Sequence, residues 1–216
     1  MIVLLFGPPG VGKGTQADLL TKKFNLTVCS TGNILREEIT RKTELGMAVK
    51  TFLDKGELVH DEYLFKLIEQ FLYAYKNNSM LFDGFPRNIN QAEVFDTLLS
   101  QVDLKLDAAL ELYLSVNEIV ARLEHRRYCS TCGRTFNLLT NRPSKENLCD
   151  ICGTALMQRS DDTEEVIRRR MKIYDRETHP LIDYYTEKNI YHQISARGPQ
   201  KEVFQRIALI LNGNID

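Results

Sequence analysis

Residues 7–15 read Gly-Pro-Pro-Gly-Val-Gly-Lys-Gly-Thr and follow the apolar run Ile2-Val3-Leu4-Leu5-Phe6. The pattern predicts a buried strand that delivers a glycine-rich loop straight into a helix. Glycines let successive backbone N–H groups turn toward one anion, Lys13 adds a mobile positive charge, and the helix points its positive end at the same place. Such a segment is a phosphate cradle, so the chain is expected to bind a nucleotide polyphosphate. Asp83 ends a second apolar run, Met80-Leu81-Phe82, which sets a carboxylate at a strand end where it can hold Mg2+ directly or through water. Gly84-Phe85-Pro86-Arg87 continues from it, and the arginine fork suits a phosphate group.

A third set of reactive side chains is Cys129-x2-Cys132 and Cys149-x2-Cys152, with residues 133–148 between the pairs. This is the spacing of a tetrathiolate site. Four thiolates at about 2.3 Å from zinc leave no position open for water, so the expected metal is structural. Iron could occupy the same sulfurs, and two disulfides are the alternative; paired x2 spacing in a chain expected to be cytoplasmic favours the metal. Cys29 stands apart in a short apolar stretch and reads as core.

The elements that must position these groups alternate. Apolar runs predict strands over 2–6, 26–29, 80–82, 108–114 and 190–194. Between them, spacing of three and four predicts helices over 15–24, 61–75 (capped by Asp61), 90–99, 117–126 (capped by Asn117) and 199–211. Another runs from 161 to about 185, bent near Pro180. From 128 to 158 the period collapses into Gly, Pro, Asn, Ser and the four cysteines, which marks an insertion. The expectation is an α/β fold, a doubly wound five-stranded parallel sheet with its ligand at the carboxyl ends of the strands.

At 216 residues the chain can form one principal domain with insertions. Its 28 Lys+Arg against 29 Asp+Glu give a formal charge of -1, which excludes a global field that would hold nucleic acid or an acidic membrane. The apolar run at residues 2–6 is too short for a signal-peptide core or a membrane span. A cytoplasmic monomer with small-molecule partners is expected.

The GxPGxGKGT run resembles the nucleoside monophosphate kinases, with Gly14 where a general P-loop has Ser or Thr and the hydroxyl arriving at Thr15. STGNILR over 30–36, DGFPR over 83–87 and RSDD over 159–162, ahead of Arg168-Arg169-Arg170, narrow the resemblance to the adenylate kinase family. These motifs cover the chain from end to end in family order. The resemblance implies a P-loop core over 1–29, 60–125 and 164–216, an AMP-binding insertion over 30–59 and a zinc-binding lid over 126–163. It also implies reversible phosphoryl transfer from MgATP to AMP giving two ADP, with Mg2+ accompanying ATP and Zn2+ held in the lid.

By the same resemblance, catalytic roles fall to Lys13, Asp83, Arg87, Arg122, Arg126, Arg159, Asp161, Asp162 and Arg170. ATP would meet Gly10, Val11, Gly12, Lys13, Gly14, Thr15, Arg122, Arg126, Thr135, Phe136 and Gly198. AMP would meet Thr31, Arg36, Glu57, Leu58, Val59, Gly84, Phe85, Pro86, Arg87, Gln91, Arg159 and Arg170. Arg127, Arg168 and Arg169 read as solvated helix charges. Asn33 and Asn137 depart from the family, which usually has Asp and His there; Asn33 removes a charge near the metal, so a changed Mg2+ response is expected.

Chemistry explains this inventory. An AMP phosphate is already ionised at neutral pH, so the transfer needs dense positive charge and positioned donors rather than a general base. Two rival readings make different demands. A UMP/CMP kinase would carry Asn in place of Gln91 and a short lid. A zinc-ribbon nucleic-acid or assembly module that binds ATP without turning it over would need a basic, exposed ribbon, whereas Arg134, Arg142 and Lys145 stand against Glu146 and Asp150.

Overall fold

A computed structural model describes residues 1–55, 57–159 and 162–213. The apolar runs form β1 (Ile2–Phe6), β2 (Thr27–Ser30), β3 (Met80–Asp83) and β4 (Ala108–Tyr113). The cysteine-bearing insertion contributes β5 (Arg126–Cys129), β6 (Thr135–Asn137) and β7 (Leu156–Met157), and β8 (Tyr191–Ser195) follows. The main sheet has the order β2-β3-β1-β4-β8, with every neighbouring pair parallel. Asp83 pairs in register with Leu5 on one side and Ser30 on the other, so the carboxyl ends of three neighbouring strands, β2, β3 and β1, open at one edge.

Helices α1 (Lys13–Phe24), α2 (Thr31–Thr40), α3 (Glu44–Lys55), α4 (Asp61–Tyr75), α5 (Ile89–Gln101) and α6 (Val116–Glu124) precede the insertion's sheet. After it come α7 (Glu164–Ile173), α8 (Leu181–Glu187) and α9 (Gln200–Gly213). The alternation of β1 divides the core in two. Ile2, Leu4 and Phe6 pack with α4, α5 and α8, while Val3 and Leu5 pack with α1 and α9. Each such fully buried side chain stabilises the fold by about 1.5–3 kcal/mol.

The structure corrects several local expectations. Ser115, not Asn117, caps α6, because Ser115 and Glu118 form a capping box that satisfies two end groups at once. That helix stops at Glu124, and Arg126 opens a strand instead. The insertion expected to be irregular folds into a three-stranded antiparallel sheet, β6-β5-β7. The long helix expected from 161 is segmented: Thr163 caps α7, a π-helical turn over Tyr174–Thr178 follows, and α8 starts after Pro180. His179 N donates to Tyr174 O at 2.9 Å, which widens the turn just before a residue that has no N–H to donate. No helix among the described residues is long and apolar enough to cross a membrane.

Candidate active site

A cavity of about 640 Å³ lies at the carboxyl edge of the sheet. The P-loop forms its floor because the backbone there takes conformations that a side chain would block. Gly10 has φ +78°, and a Cβ on it would lie 2.5 Å from Leu123 Cγ, so α6 packs directly against the loop. Lys13 Nζ donates across the loop to Gly7 O at 2.9 Å and Pro8 O at 3.1 Å. Burial lowers its pKa to about 8; Arg87, Arg170 and Arg126 push the same way, and Asp83 opposes them.

Asp83 accepts from Ser30 Oγ at 3.2 Å, and the next residue makes the turn to Arg87. Gly84 has φ +83°, with Thr31 Oγ1 and Arg87 Nε both donating to its carbonyl, at 2.9 and 2.7 Å. A Cβ there would lie 3.0 Å from Arg87 Nη2. Thr178 Oγ1 holds the Arg87 carbonyl at 2.7 Å, and Gln91 Oε1 accepts the Arg87 N–H at 2.8 Å. Burial lowers the Arg87 pKa to about 10, helped by Arg170 and Arg36, while Asp83 opposes; the guanidinium stays charged at neutral pH.

Lys13, Arg36, Arg87, Arg122, Arg126, Arg159 and Arg170 line this cavity against the carboxylates of Asp18 and Asp83. The excess of cations over carboxylates on this wall suits a polyanion. Arg36 Nη2 donates to Asn33 Oδ1 at 2.7 Å, and the Arg159 guanidinium lies 5.6 Å from the Tyr128 ring centre. A smaller cavity of about 70 Å³ continues under Lys13, Arg87 and Arg170 toward Leu58 and Pro86.

At the other end, Arg122 joins two loops: Nη1 donates to Val11 O at 3.0 Å and Nη2 to Ala196 O at 2.8 Å. Asn137 Nδ2 donates to Arg122 O at 2.9 Å while its Oδ1 accepts from Leu139 N and Thr140 N, so this departure from the family ties the insertion's sheet to α6.

The four cysteine sulfurs lie within 4.8 Å of one another, at the scale of the ~3.7 Å edges of a zinc–thiolate tetrahedron. Two like turns build the cluster. Gly133 N donates to Cys129 O and Gly153 N to Cys149 O, at 3.0 and 2.9 Å, each glycine at φ +71°. The Cys132 N–H lowers the Cys129 thiol pKa to about 6; at Cys149 burial opposes, but the N–H groups of Cys152 and Ile151 outweigh it. Cys29 is buried core, as expected.

The structure brings together on the main cavity all six P-loop positions from Gly10 to Thr15, and with them Asp83, Gly84, Thr135, Phe136 and Gly198. Other expected residues lie elsewhere. Phe85 is fully buried, edge-on to Phe65 and Phe95, because an aromatic between α4 and α5 gains more from the core than from the cavity. Thr31, Val59 and Gln91 are enclosed, and neither they nor Glu57 line either cavity. Asp162 is also enclosed and grips Arg126, with Nε to Oδ2 at 2.7 Å and a second bond from Nη2 to Oδ1, so it orients an arginine rather than meeting the cavity. Asp161 lies outside the described residues. Sequence reasoning passed over Gln16 and Asp18, which line the cavity from α1; Gln16 shares a helix face with Lys13 at i+3, whereas no local spacing marked Asp18.

Cations converging on one P-loop from α2, α6 and α7 make a site with charge for two nucleotides, which defines a P-loop nucleotide phosphotransferase. The family model described as adenylate kinase matches residues 5–190. The chain is 42% identical over 211 residues to an adenylate kinase of Hydrogenobaculum sp. (strain Y04AAS1), covering 98% of this chain and 100% of that protein. It is 41% identical to that of Clostridium tetani and 39% identical to that of Archaeoglobus fulgidus, over 212 residues and 98% of both chains in each case. The chain belongs to the adenylate kinase family.

Proposed function

We infer that the reaction is reversible phosphoryl transfer between ATP and AMP giving two ADP, made by charge and positioning alone. The observation that carries this reading is the convergence of Lys13, Arg87 and Arg170, which line both cavities. Three fixed cations at that junction would stabilise the charge on a phosphoryl group passing between two phosphates, and no base is required. Arg36 and Leu58 belong to the acceptor side, and Arg122, Phe136 and Gly198 to the donor side. Arg126 and Arg159 would reach the transferring group from the insertion.

Mg2+ accompanying ATP would supply further neutralisation on the Asp83 side, where the carboxylate lines the cavity beside Thr15. Asn33 holds Arg36 with its carbonyl oxygen, which supports its acting there as an orienting amide. Zinc would be held by Cys129, Cys132, Cys149 and Cys152, giving the insertion over 126–163 the rigidity to move as one lid. Residues 30–59 would close over AMP as the second moving part, and reduced thiols suit a cytoplasmic location. The test is transfer from ATP to each of AMP, UMP, CMP and GMP, with metal analysis of the same preparation. AMP as the preferred acceptor with one zinc per chain is the expected result.

A further inference from the structure

We propose that Thr178 is a positioning residue for phosphoryl transfer, its hydroxyl setting Arg87 at a fixed place relative to Arg170. The proposal rests on the reading above that these two arginines stabilise the transferring group. Thr178 is buried and closes the π-helical turn over Tyr174–Thr178. Its Oγ1 donates to Arg87 O at 2.7 Å, across 91 residues of chain. Threonines in other helices behave differently: Thr21, Thr40, Thr97 and Thr186 each donate to the carbonyl four residues earlier, at 2.7, 2.9, 3.0 and 2.7 Å. The corresponding carbonyl for Thr178 is Tyr174 O, which accepts from His179 N in the widened turn. The π-helical turn thus releases this hydroxyl from its own helix and aims it at the turn that carries Arg87.

The bond joins the two arginines by a short path. Gly84 O holds the Arg87 Nε and Gln91 Oε1 holds its N–H, but Gly84 belongs to the same turn and Gln91 to the first turn of α5. Thr178 ties Arg87 to a different element, the segment after α7, at whose start Tyr174 N donates to Arg170 O. Arg87, Arg170 and Thr178 line the same small cavity with Lys13. Two guanidinium groups on one cavity wall repel each other; burial and then Arg170 lower the Arg87 pKa. A bond between the carriers of the two charges resists that repulsion before substrate arrives. Charge developing on a phosphoryl group is stabilised by donors already in place, so loss of this bond should act on the transition state more than on nucleotide binding.

The test measures ATP–AMP transfer in Thr178→Val, Thr178→Ala, Thr178→Ser, Arg87→Ala and the double variant Arg87→Ala/Thr178→Val, each well below its Tm. Valine keeps the β-branched shape without the hydroxyl, alanine removes the hydroxyl without a branch, and serine keeps the hydroxyl. Thr178→Val and Thr178→Ala should each lower kcat by roughly tenfold, the scale of one lost hydrogen bond, with the KM for ATP within about twofold of the wild type. Thr178→Ser should recover most of the rate. On Arg87→Ala, the added Thr178→Val should change kcat by less than about twofold, because the hydroxyl acts through a guanidinium that is no longer there. A wild-type kcat in both hydroxyl-free variants would overturn the proposal. So would an equal further loss on Arg87→Ala, which would assign Thr178 to the fold alone. Full activity in Arg87→Ala would instead overturn the reading of the site itself.

Discussion

Gln91 Nε2 donates to Asp61 Oδ1 at 2.6 Å while the same amide accepts the Arg87 N–H at 2.8 Å, so one enclosed side chain links the start of α4 to the turn that carries Arg87. Asn90 Nδ2 adds a second bond to Asp61 at 2.8 Å, and Asn88 Oδ1 caps α5 through the Gln91 N–H. One N–H and one lone pair of the Gln91 amide are left over from these bonds.

Gln91→Ala is expected to lower kcat/KM for AMP by about 1–3 kcal/mol, since it unpairs the Arg87 backbone N–H and loosens the turn that aims this arginine. The ATP KM should barely move. Steady-state kinetics with each nucleotide varied in turn checks this, and equal losses for both would assign Gln91 to the fold alone.

Lys13 gives a pH signature. Its native pKa of about 8 lies below the usual 10.5, so between those values the unfolded chain binds more protons than the native one, and this group makes stability rise with pH across that window. A bound polyphosphate favours the charged form and reverses the shift. ATP binding at about pH 9 should therefore take up a proton, read as a dependence of the calorimetric binding enthalpy on buffer ionisation. Lys13→Met should abolish both the uptake and phosphoryl transfer while keeping the Tm, and unchanged uptake in this variant would remove Lys13 from the phosphate site.

What could be read ahead of the structure was what the chain writes locally. The P-loop, Asp83, Gly84 and Arg87, and both cysteine pairs are contiguous signals whose chemistry depends on a few neighbouring residues; the first two groups line one cavity and the cysteines form one cluster. The α/β alternation was equally legible because β1 is apolar at every position. Partnerships across long sequence gaps were not. Asp162 looked like a catalytic carboxylate until Arg126 claimed it, and Phe85 belonged to a phosphate motif by sequence but to the aromatic core by packing. The α6 cap was misplaced by two residues because Asn117 is a good cap in isolation, whereas Ser115 has Glu118 to complete the box.

Cys149→Ala should release the metal, because three thiolates leave an open and weaker site. The insertion has a small core, with Cys129, Phe136 and Cys149 its buried apolar members, so little else holds β5, β6 and β7 together. Hydrogen exchange should rise across residues 126–159 before it rises in the main sheet. Metal-free wild-type protein with two disulfides would contradict the prediction.

Arg87→Ala is expected to reduce kcat/KM by at least about a hundredfold, the scale for loss of one preorganised donor in a site closed to water. The guanidinium is held before substrate arrives by its Nε bond to Gly84 O, so ordering it has already been accomplished by the fold. Arg87→Lys should restore little, since an ammonium cannot keep the Gly84 bond and fork a phosphate together. A loss below tenfold in Arg87→Ala would make the residue peripheral.

Glu111 is a carboxylate buried on β4 that accepts from Tyr174 Oη at 2.8 Å, Tyr191 Oη at 2.6 Å and Gln193 Nε2 at 3.1 Å. Tyr174 opens the π-helical turn behind Arg170, and Thr178 at the far end of that turn holds the Arg87 carbonyl, so the segment is pinned at both ends. Tyr174→Phe should lower stability by about 1–3 kcal/mol, because it takes one donor from a buried charge. Burial first, and then the Glu111 charge, raise the Tyr174 pKa above the usual 10; burial, followed by its hydrogen bond to Glu111, does the same for Tyr191. Above pH 10 these two phenols hold protons in the native protein that the unfolded chain has lost, so their contribution to stability falls as pH rises. Denaturant titrations from about pH 9 to 11 should show a shallower fall in Tyr174→Phe than in the wild type, and parallel slopes would show that the Tyr174 phenol ionises alike in both states.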